Sequence, residues 1–229
     1  GVVHLRAGKG LVTMPAEEAS VLRIGIMGGT FDPIHFGHLL VAQEALVRLS
    51  LQQVIFVPTG NSYQKSYRSV TPAEERYMMT FLATLDNPKF SVSRLEIDRE
   101  DPSHTVDTLR EMRYWYADQA VEFFFITGID ALMSMDTWTE YEKIPELCTI
   151  VAANRPGYDY EHYRLDNLPE KVRSRVLRLE IPLLSISSTE IRHRVAAGEN
   201  LRYCCRIRSS SIFTSAASTK TKILEGMWS

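Results

Sequence analysis

From residue 22 to residue 196, stretches with the apolar spacing of strands are followed by stretches with the apolar spacing of helices. Residues 90–96 alternate between apolar and polar positions and predict one strand, whereas residues 39–49 and 103–116 repeat apolar positions at helical spacing. Because strands and helices succeed one another along the chain, the pattern predicts an α/β fold built on a doubly wound parallel sheet. Largely apolar runs predict four further, buried strands at residues 22–27, 54–58, 121–126 and 148–153, and residues 176–181 predict a last strand.

One further helix is predicted to begin in the segment T-P-A-E-E at residues 71–75. Thr71 supplies a capping hydroxyl, proline suits the first turn, and two glutamates lie near the positive end of the helix dipole. The helix is expected to run to about Leu85. Its core-facing side chains are predicted from their spacing to be Tyr77, Met78, Phe81 and Leu82.

The composition is that of an ordinary globular domain. The chain has 229 residues, of which 45% are hydrophobic and 24% charged, enough to bury a sizeable core. A net charge of −2 argues against a general nucleic-acid partner. No apolar run is long enough to cross a bilayer, so no membrane partner is expected. The three cysteines form no C-x-x-C pattern and favour a cytoplasmic location.

Three segments are predicted along the chain. Residues 1–20 lack the continuous apolar core of a signal peptide and are expected to be a disordered leader. Residues 21–203 form the domain. Residues 204–229 form a tail of different character, rich in serine and threonine.

The segment G-G-T-F-D-P-I-H-F-G-H at residues 28–38 is the strongest candidate for chemistry. It joins the first predicted strand to the first predicted helix. Two glycines let a ligand approach the backbone, and the N–H groups of a helix start favour an anion. His35 and His38 are three residues apart and are expected to project from the same side. The residues predict a nucleotide-phosphate site, while a helix cap with one surface histidine is the plainer alternative.

A second phosphate site is predicted at residues 187–192. Ser187, Ser188 and Thr189 place three hydroxyls at a helix N-terminus, and Arg192 lies one turn further on the same side. The alternative is an ordinary cap with a surface arginine. The helix is expected to stop at Gly198, which suits a left-handed C-terminal cap.

Two residues in the middle of the chain also have competing interpretations. Asp130 follows Gly128 at the predicted carboxyl edge of the sheet, where ligands of open α/β sheets bind. It is also a residue type that commonly starts helices. Trp138 has the right ring to stack on an aromatic ligand, and it equally suits a buried core position.

The two candidate segments together resemble the signatures of the nucleotidylyltransferase superfamily. Residues 28–38 resemble its G-G-T-F-D-P-x-H-x-G-H sequence, and residues 186–192 resemble its I-S-S-T-x-I-R sequence. Class I aminoacyl-tRNA synthetases share a related H-x-G-H signature. They also need a lysine-rich K-M-S-K-S-like loop and an anticodon domain, which this sequence lacks. The resemblance implies a Rossmann-like nucleotidylyltransferase fold.

The middle of the chain resembles one branch, the bacterial nicotinate-nucleotide adenylyltransferases. The similar segments are V-P-T-G at residues 57–60 followed by Lys65, S-H-T-V-D-T-L at residues 103–109, G-I-D at residues 128–130 followed by Trp138, and R-P-G at residues 155–157. The sequence departs from the branch at His104, where tyrosine is usual, at Ile129, where alanine is usual, and at Tyr141, where a second tryptophan is frequent.

The resemblance implies roles for individual residues. Catalysis would involve His35, His38, Lys65 and Arg192. Nicotinate mononucleotide would contact Lys65, Thr105, Trp138 and Arg155. The implied ATP-binding residues are Gly28, Gly29, Thr30, Phe31, His35, His38, Gly128, Asp130, Ser187, Ser188, Thr189 and Arg192.

The implied reaction joins ATP to nicotinate mononucleotide in NAD biosynthesis. The mononucleotide phosphate attacks the α-phosphorus of ATP in line and releases pyrophosphate. No protein nucleophile is required, because the attacking phosphate is already largely dianionic at neutral pH. Mg²⁺ would be carried on the ATP phosphates, with no dedicated protein ligands. The substrates are the expected partners, and a homo-oligomer is left open.

Alternatives to this function remain at this point. A related adenylyltransferase could use nicotinamide mononucleotide or phosphopantetheine as acceptor. A nucleotide-binding protein without turnover is the third interpretation, because the tail does not resemble the family's C-terminal helix. Codons can be chosen for residues 204–220 so that a neighbouring frame encodes such an ending, which leads to the hypothesis that the tail is out of frame.

Overall fold

The structure is a computed structural model that describes residues 21–60, 70–154, 168–182 and 184–206, together with residues 209, 212 and 214. The predicted leader, Lys65, Arg155 and most of the predicted tail lie outside these residues.

The described strands form one parallel sheet in the order β3-β2-β1-β4-β5-β6. Helices lie between the strands along the chain. The predicted α/β fold with a doubly wound parallel sheet is therefore confirmed. The strands are β1 Leu22–Gly29, β2 Gln53–Pro58, β3 Phe90–Val92, β4 Val121–Gly128, β5 Thr149–Asn154 and β6 Val176–Glu180. The helices are α1 Phe36–Arg48, α2 Ala73–Thr84, α3 Thr105–Trp115, α4 Ile129–Met133, α5 Ile144–Leu147, α6 Glu170–Arg173 and α7 Ser188–Ala196. Within the described ranges, no helix has the length and hydropathy that crossing a membrane requires.

The central strands are apolar on both faces because helices cover both sides of the sheet. In β4, Phe123 and Phe125 pack into the core that α3 and α4 complete, whereas Phe124 and Ile126 pack into the core under α1, α2 and α7. Alternating side chains of one strand thus supply two separate cores. This arrangement explains why the strand sequences appear as continuous apolar runs rather than as alternating ones.

The predicted core face of α2 is wrong. Met78 and Phe81 are 43% and 41% exposed, and Tyr77 and Leu82 are only half-buried. The helix instead turns a partly polar face inward, and the buried residues are Arg76, Met79, Thr80, Ala83 and Thr84. Burial of the two threonines is tolerated because each hydroxyl donates to a helix carbonyl one turn back, at 2.7 Å for Thr80 and 3.0 Å for Thr84.

Two element boundaries also differ from prediction. Strand β3 ends at Val92 rather than at Glu96, because the backbone turns there and the amide of Leu95 bonds the Ser93 hydroxyl at 3.2 Å. Pro72, not Thr71, caps α2. The predicted stop of α7 agrees with the structure, since the helix ends at Ala196 and is followed by Gly198 with a φ of +71°.

The described residues after Tyr203 pack against the domain. Cys205 is 2% exposed within the core under α1 and α2. The carbonyl of Cys204 accepts a hydrogen bond from the Phe36 amide at 3.3 Å. The Ser209 hydroxyl is buried and donates to the Met79 carbonyl at 2.9 Å. Packing on the domain therefore continues past residue 203.

Candidate active site

A cavity of about 370 Å³ lies where the carboxyl ends of β1 and β4 meet. These adjacent strands lead to helices on opposite faces of the sheet, so this edge is the topological switch point at which α/β folds bind ligands. The residues predicted for ATP that line the cavity are Gly28, Gly29, Phe31, His35, His38, Gly128, Asp130 and Ser187. The sequence motifs from the two ends of the chain thus share one cavity.

The loop after β1 is shaped by the packing of Phe31 on Gly29. Phe31 has a φ of +48°, which is unusual for a residue other than glycine, and its side chain is 2% exposed. A Cβ atom at Gly29 would lie 2.9 Å from the Phe31 ring, so a larger residue at position 29 would displace the ring. The Phe31 ring also contacts the rings of His38 and Phe56, at centroid distances of 5.1 and 5.9 Å, and these contacts help to hold the loop.

His35 and His38 form a stacked pair at the start of α1. His35 is the residue immediately before the helix, and the ring centroids are 3.8 Å apart. The Nδ1 atom of His38 accepts the main-chain amide of His35 at 3.3 Å. A neutral His38 ring therefore carries its proton on Nε2, where it can be donated to a ligand oxygen. A Cβ atom at Gly37 would lie 2.9 Å from the His35 ring, which explains the glycine between the two histidines.

The N-terminus of α7 is joined to the loop after β1. The Ser187 hydroxyl caps α7 by accepting the Glu190 amide at 3.1 Å. The Ser188 hydroxyl donates to the carbonyl of Pro33 at 2.9 Å. Ser188, Thr189 and Arg192, also predicted for ATP, are not among the residues that line the cavity, and they adjoin it through Ser187 and the loop after β1.

Arg192 makes two hydrogen bonds at this junction. Its guanidinium donates to the carbonyl of Asp32 at 2.7 Å and to the Thr189 hydroxyl at 2.9 Å. Among the described residues, these two bonds use only part of the guanidinium, which carries five N–H groups in a planar fork that suits an anion. The arrangement both orders the loop and brings positive charge beside it.

The opposite side of the cavity is made by the ends of β4 and β5. Gly128 is the residue before α4, and Asp130 lies exposed in the first turn of that helix. Asn154 at the end of β5 also lines the cavity and is 4% exposed. Asn154 was not predicted to be a site residue, although its place at the end of an apolar strand was the available signal. Among the described residues, no three His, Cys, Asp or Glu side chains group as metal ligands do.

The predicted mononucleotide-binding residues Thr105 and Trp138 lie outside the set that lines this cavity. Thr105 is the first residue of α3. Trp138 is half-buried, and its ring is perpendicular to that of Phe125 at a centroid distance of 6.1 Å. The segment after Trp138 is linked to the start of α3 by a 3.0 Å hydrogen bond between the Thr139 hydroxyl and Nδ1 of His104.

A second link joins α3 to the segment after Trp138. Arg110 donates two hydrogen bonds to the carboxylate of Glu140, at 2.7 and 3.1 Å. This contact lowers the pKa of Glu140. Glu140 has a φ of +47°. The structure thus brings Thr105 and Trp138 to neighbouring, mutually braced segments.

Two buried charged residues next to the loop, Asp32 and Arg76, were not predicted from the sequence. Asp32 lies inside the G-G-T-F-D-P segment, but nothing in that segment alone assigned it a contact. Arg76 received no prediction, because arginine in a helix is normally exposed and gives no sign of burial in the sequence.

A parallel sheet of this order, with a glycine-bordered cavity at its switch point, defines a Rossmann-like nucleotide-binding protein. The sequence pattern of the family described as cytidylyltransferase-like matches residues 26–194. The chain belongs to this family and, within it, to the bacterial nicotinate-nucleotide adenylyltransferases.

Two relatives illustrate the extent of the match. A protein of Corynebacterium kroppenstedtii named "Probable nicotinate-nucleotide adenylyltransferase" is 50% identical over 181 residues, which are 79% of this chain and 83% of that protein. A protein of Moorella thermoacetica with the same name is 47% identical over 195 residues, 84% of this chain and 87% of that protein.

Solved structures share the fold. Nicotinic acid mononucleotide adenylyltransferase of Plasmodium falciparum, complexed with NaAD, superposes with a TM-score of 0.69 at 20% identity. The alignment covers 85% of this chain and 95% of the Plasmodium chain. A structure from Vibrio parahaemolyticus gives a TM-score of 0.58 at 17% identity.

Proposed function

We propose that this chain transfers the adenylyl group of ATP to nicotinate mononucleotide, giving nicotinate adenine dinucleotide and pyrophosphate, and that ATP binds in the cavity between β1 and β4. Relatives that are about half identical over four fifths of the chain carry the name of this activity. The observation that carries the assignment of the site is the stacked pair of His35 and His38 at the head of α1, on the cavity wall.

The chemistry requires charge neutralisation and alignment rather than a protein nucleophile. The phosphate of nicotinate mononucleotide attacks the α-phosphorus of ATP, the bond to the bridging oxygen breaks, and pyrophosphate leaves. The Nε2–H of His38 donates to an α-phosphate oxygen, where negative charge grows in the transition state. His35 stacks on His38, fixes its orientation and borders the phosphates.

The leaving pyrophosphate is held at the junction of the two motifs. The N-terminus of α7 presents main-chain N–H groups, with the hydroxyls of Ser188 and Thr189 beside them. Arg192 neutralises charge on the β- and γ-phosphates with those guanidinium donors that do not hold the loop. Thr30 sets the course of the loop. Asp130 binds the ribose hydroxyls of ATP from the first turn of α4.

The acceptor binds beside the start of α3. Trp138 stacks on the pyridine ring, and Thr105 with the nearby main-chain amides recognises the carboxylate. Lys65 bridges the two reacting phosphates and Arg155 pairs with a substrate phosphate; both residues lie outside the described ranges. The metal is part of the substrate: ATP arrives as its Mg²⁺ complex, which keeps most of its ligands as phosphate oxygens and water.

The decisive experiment measures pyrophosphate release with MgATP and, in separate reactions, nicotinate mononucleotide, nicotinamide mononucleotide and phosphopantetheine. A strong preference for the nicotinate form supports the proposal. Preference for another acceptor replaces the substrate but keeps the class of enzyme. ATP binding without release of pyrophosphate from any acceptor contradicts the activity and favours a nucleotide-binding protein without turnover.

A matched pair of variants tests the site. His38→Ala removes the proposed donor to the α-phosphate and is expected to lower kcat about 10²- to 10³-fold. His193→Ala removes an exposed imidazole from α7 that takes no part in the proposal, and kcat should stay unchanged. Equal activities of the two variants would remove His38 from the mechanism.

A further inference from the structure

Arg76 is a buried guanidinium that holds three separate main-chain segments. Its side chain is 3% exposed. It donates to the carbonyls of Thr30 at 2.7 Å, Thr71 at 2.8 Å and Gly60 at 3.3 Å. Thr30 leaves β1, Gly60 leaves β2 and Thr71 leads into α2, so one side chain fixes the exits of two adjacent strands.

The surroundings of Arg76 are built for a cation. Burial alone lowers its pKa, while the carboxylates of Asp32 and Glu96 act in the opposite direction. Asp32 is in turn oriented by the amide of Thr71, which donates to its carboxylate at 3.4 Å. A Cβ atom at Gly60 would lie 1.8 Å from the carbonyl oxygen of Glu96, so the backbone beside Arg76 is packed without spare room.

The loop that Arg76 holds is the one that lines the nucleotide cavity. Thr30 lies between Gly29 and Phe31, both of which border the cavity, whereas Arg76 itself does not. Further along the same loop, Arg192 donates to the carbonyl of Asp32 and the Ser188 hydroxyl donates to the carbonyl of Pro33. The backbone from residue 30 to residue 33 is therefore held by side chains of α2 and of α7 at once.

We propose that Arg76 is a positioning residue for adenylyl transfer, which acts by fixing the carbonyl of Thr30 and thereby the placement of Phe31, His35 and His38 at the cavity. The proposal rests on the proposed function of the same site. A positioning role differs from a purely structural one, because an arginine with only a structural role would stabilise the folded state without affecting the geometry at the reacting phosphate.

The geometry requires arginine rather than any cation. Three carbonyls in different directions are reached by Nε, Nη1 and Nη2 of one planar group. A lysine ammonium carries the same charge but concentrates its donors at one point, so it cannot bridge Thr30 and Gly60 together. Arg76→Lys therefore keeps the buried charge while releasing the loop.

The test compares Arg76→Lys with Arg94→Lys, an exposed arginine near the same helix that pairs with Glu74 and Asp98. Melting temperature, kcat, and KM for each substrate are measured for both. For Arg76→Lys we expect a melting temperature within a few degrees of the parent, kcat lower by about 10- to 100-fold and a raised KM for ATP. Arg94→Lys should match the parent in all of them.

Loss of folded protein with unchanged kcat per folded molecule would overturn the proposal. If Arg76→Lys does not fold, the double variant Arg76→Gln with Glu96→Gln is tested instead, since it removes one positive and one negative buried charge together. An unchanged kcat in that variant would also overturn the proposal. ATP affinity is measured separately by calorimetry. Absence of turnover in the parent chain would refute the proposed function. In that case the ATP affinities decide the positioning role, which equal values for the parent and Arg76→Lys would refute.

Discussion

The guanidinium of Arg192 donates a 2.7 Å hydrogen bond to the main-chain carbonyl of Asp32, which lies 160 residues earlier in the chain. This contact joins the two sequence motifs directly and not only through a shared ligand. The order of the loop after β1 therefore depends on α7, and α7 is placed by the loop.

Replacing Arg192 with lysine should separate this arginine from its neighbours on α7. Arg192→Lys keeps a cation but loses the simultaneous bonds to Asp32 and Thr189, so we expect kcat to fall about 10- to 100-fold. Arg194→Lys is the control, because Arg194 is on the same helix and pairs only with Glu190 among the contacts described. The rate of pyrophosphate release is measured for both variants. An equal fall in kcat in the two would contradict a specific role of Arg192.

Gly37 and Gly198 should respond to alanine in opposite ways. In Gly37→Ala the new methyl meets the His35 ring at 2.9 Å, so the ring must shift and kcat should fall while stability changes little. Gly198→Ala meets nothing within 4 Å, but its φ of +71° disfavours alanine, at a cost of about 1 kcal/mol. Thermal melting and kcat measured on both variants check the prediction; a change of activity in Gly198→Ala would count against it.

The glycine–histidine segment shows how much of the site could be predicted from sequence. Its place between a strand and a helix determined which edge of the sheet carries the site, and the spacing of His35 and His38 predicted that they lie together. The roles of the predicted site residues in catalysis and binding stay predictions. The fold followed for the same reason, because continuous apolar runs separated by helical stretches favour few arrangements other than a parallel sheet covered on both faces.

Helix α2 shows what could not be predicted. Its apolar spacing indicated one face, but Met78 and Phe81 are exposed while Arg76 and Thr80 are buried. Burial of an arginine depends on carbonyls from distant parts of the chain, such as Thr30 and Gly60, and no local pattern encodes them. The predicted out-of-frame tail is likewise not decided by packing, and resequencing the gene would test it.

The link between His104 and Thr139 should matter for the acceptor and not for ATP. Thr139→Val removes the 3.0 Å hydrogen bond with little change of shape, and we expect KM for nicotinate mononucleotide to rise about 3- to 10-fold. Thr137→Val is the control, since its hydroxyl bonds only the local carbonyl of Ser134 at 2.7 Å among the contacts described. Steady-state kinetics with each substrate varied in turn checks the result; a rise in KM for ATP would contradict it.

Thiol chemistry should distinguish the three cysteines. Cys148 and Cys205 are 1% and 2% exposed, and burial raises their pKa values to about 12 and about 11, whereas Cys204 is half-buried. At pH 8 in the native protein we expect one thiol to react rapidly with a chromogenic disulfide, and three after denaturation. Loss of the rapid reaction in Cys204→Ala identifies the site; rapid labelling of Cys148 would refute the prediction.

The buried thiol of Cys148 also predicts an alkaline loss of stability. Because its folded pKa of about 12 exceeds the ordinary value of 9.0, the folded protein keeps this proton while the unfolded chain releases it. The free energy of unfolding should therefore fall as pH rises above 9, by up to about 1.4 kcal/mol per pH unit for this group. Denaturant unfolding of the parent and of Cys148→Ala at pH 8 and pH 10.5 checks the sign, because the variant should lose less stability.

The grip of Arg76, Ser188 and Arg192 on three carbonyls of the loop has a thermodynamic consequence for nucleotide binding. The backbone torsions of residues 30–33 are restricted when the chain folds, so little of their conformational entropy is left to lose when a ligand arrives. Part of the nucleotide affinity therefore depends on order that the loop acquires when the chain folds. Heat, denaturant or a distant substitution that frees these torsions will weaken the affinity even when every atom that touches the nucleotide is unchanged.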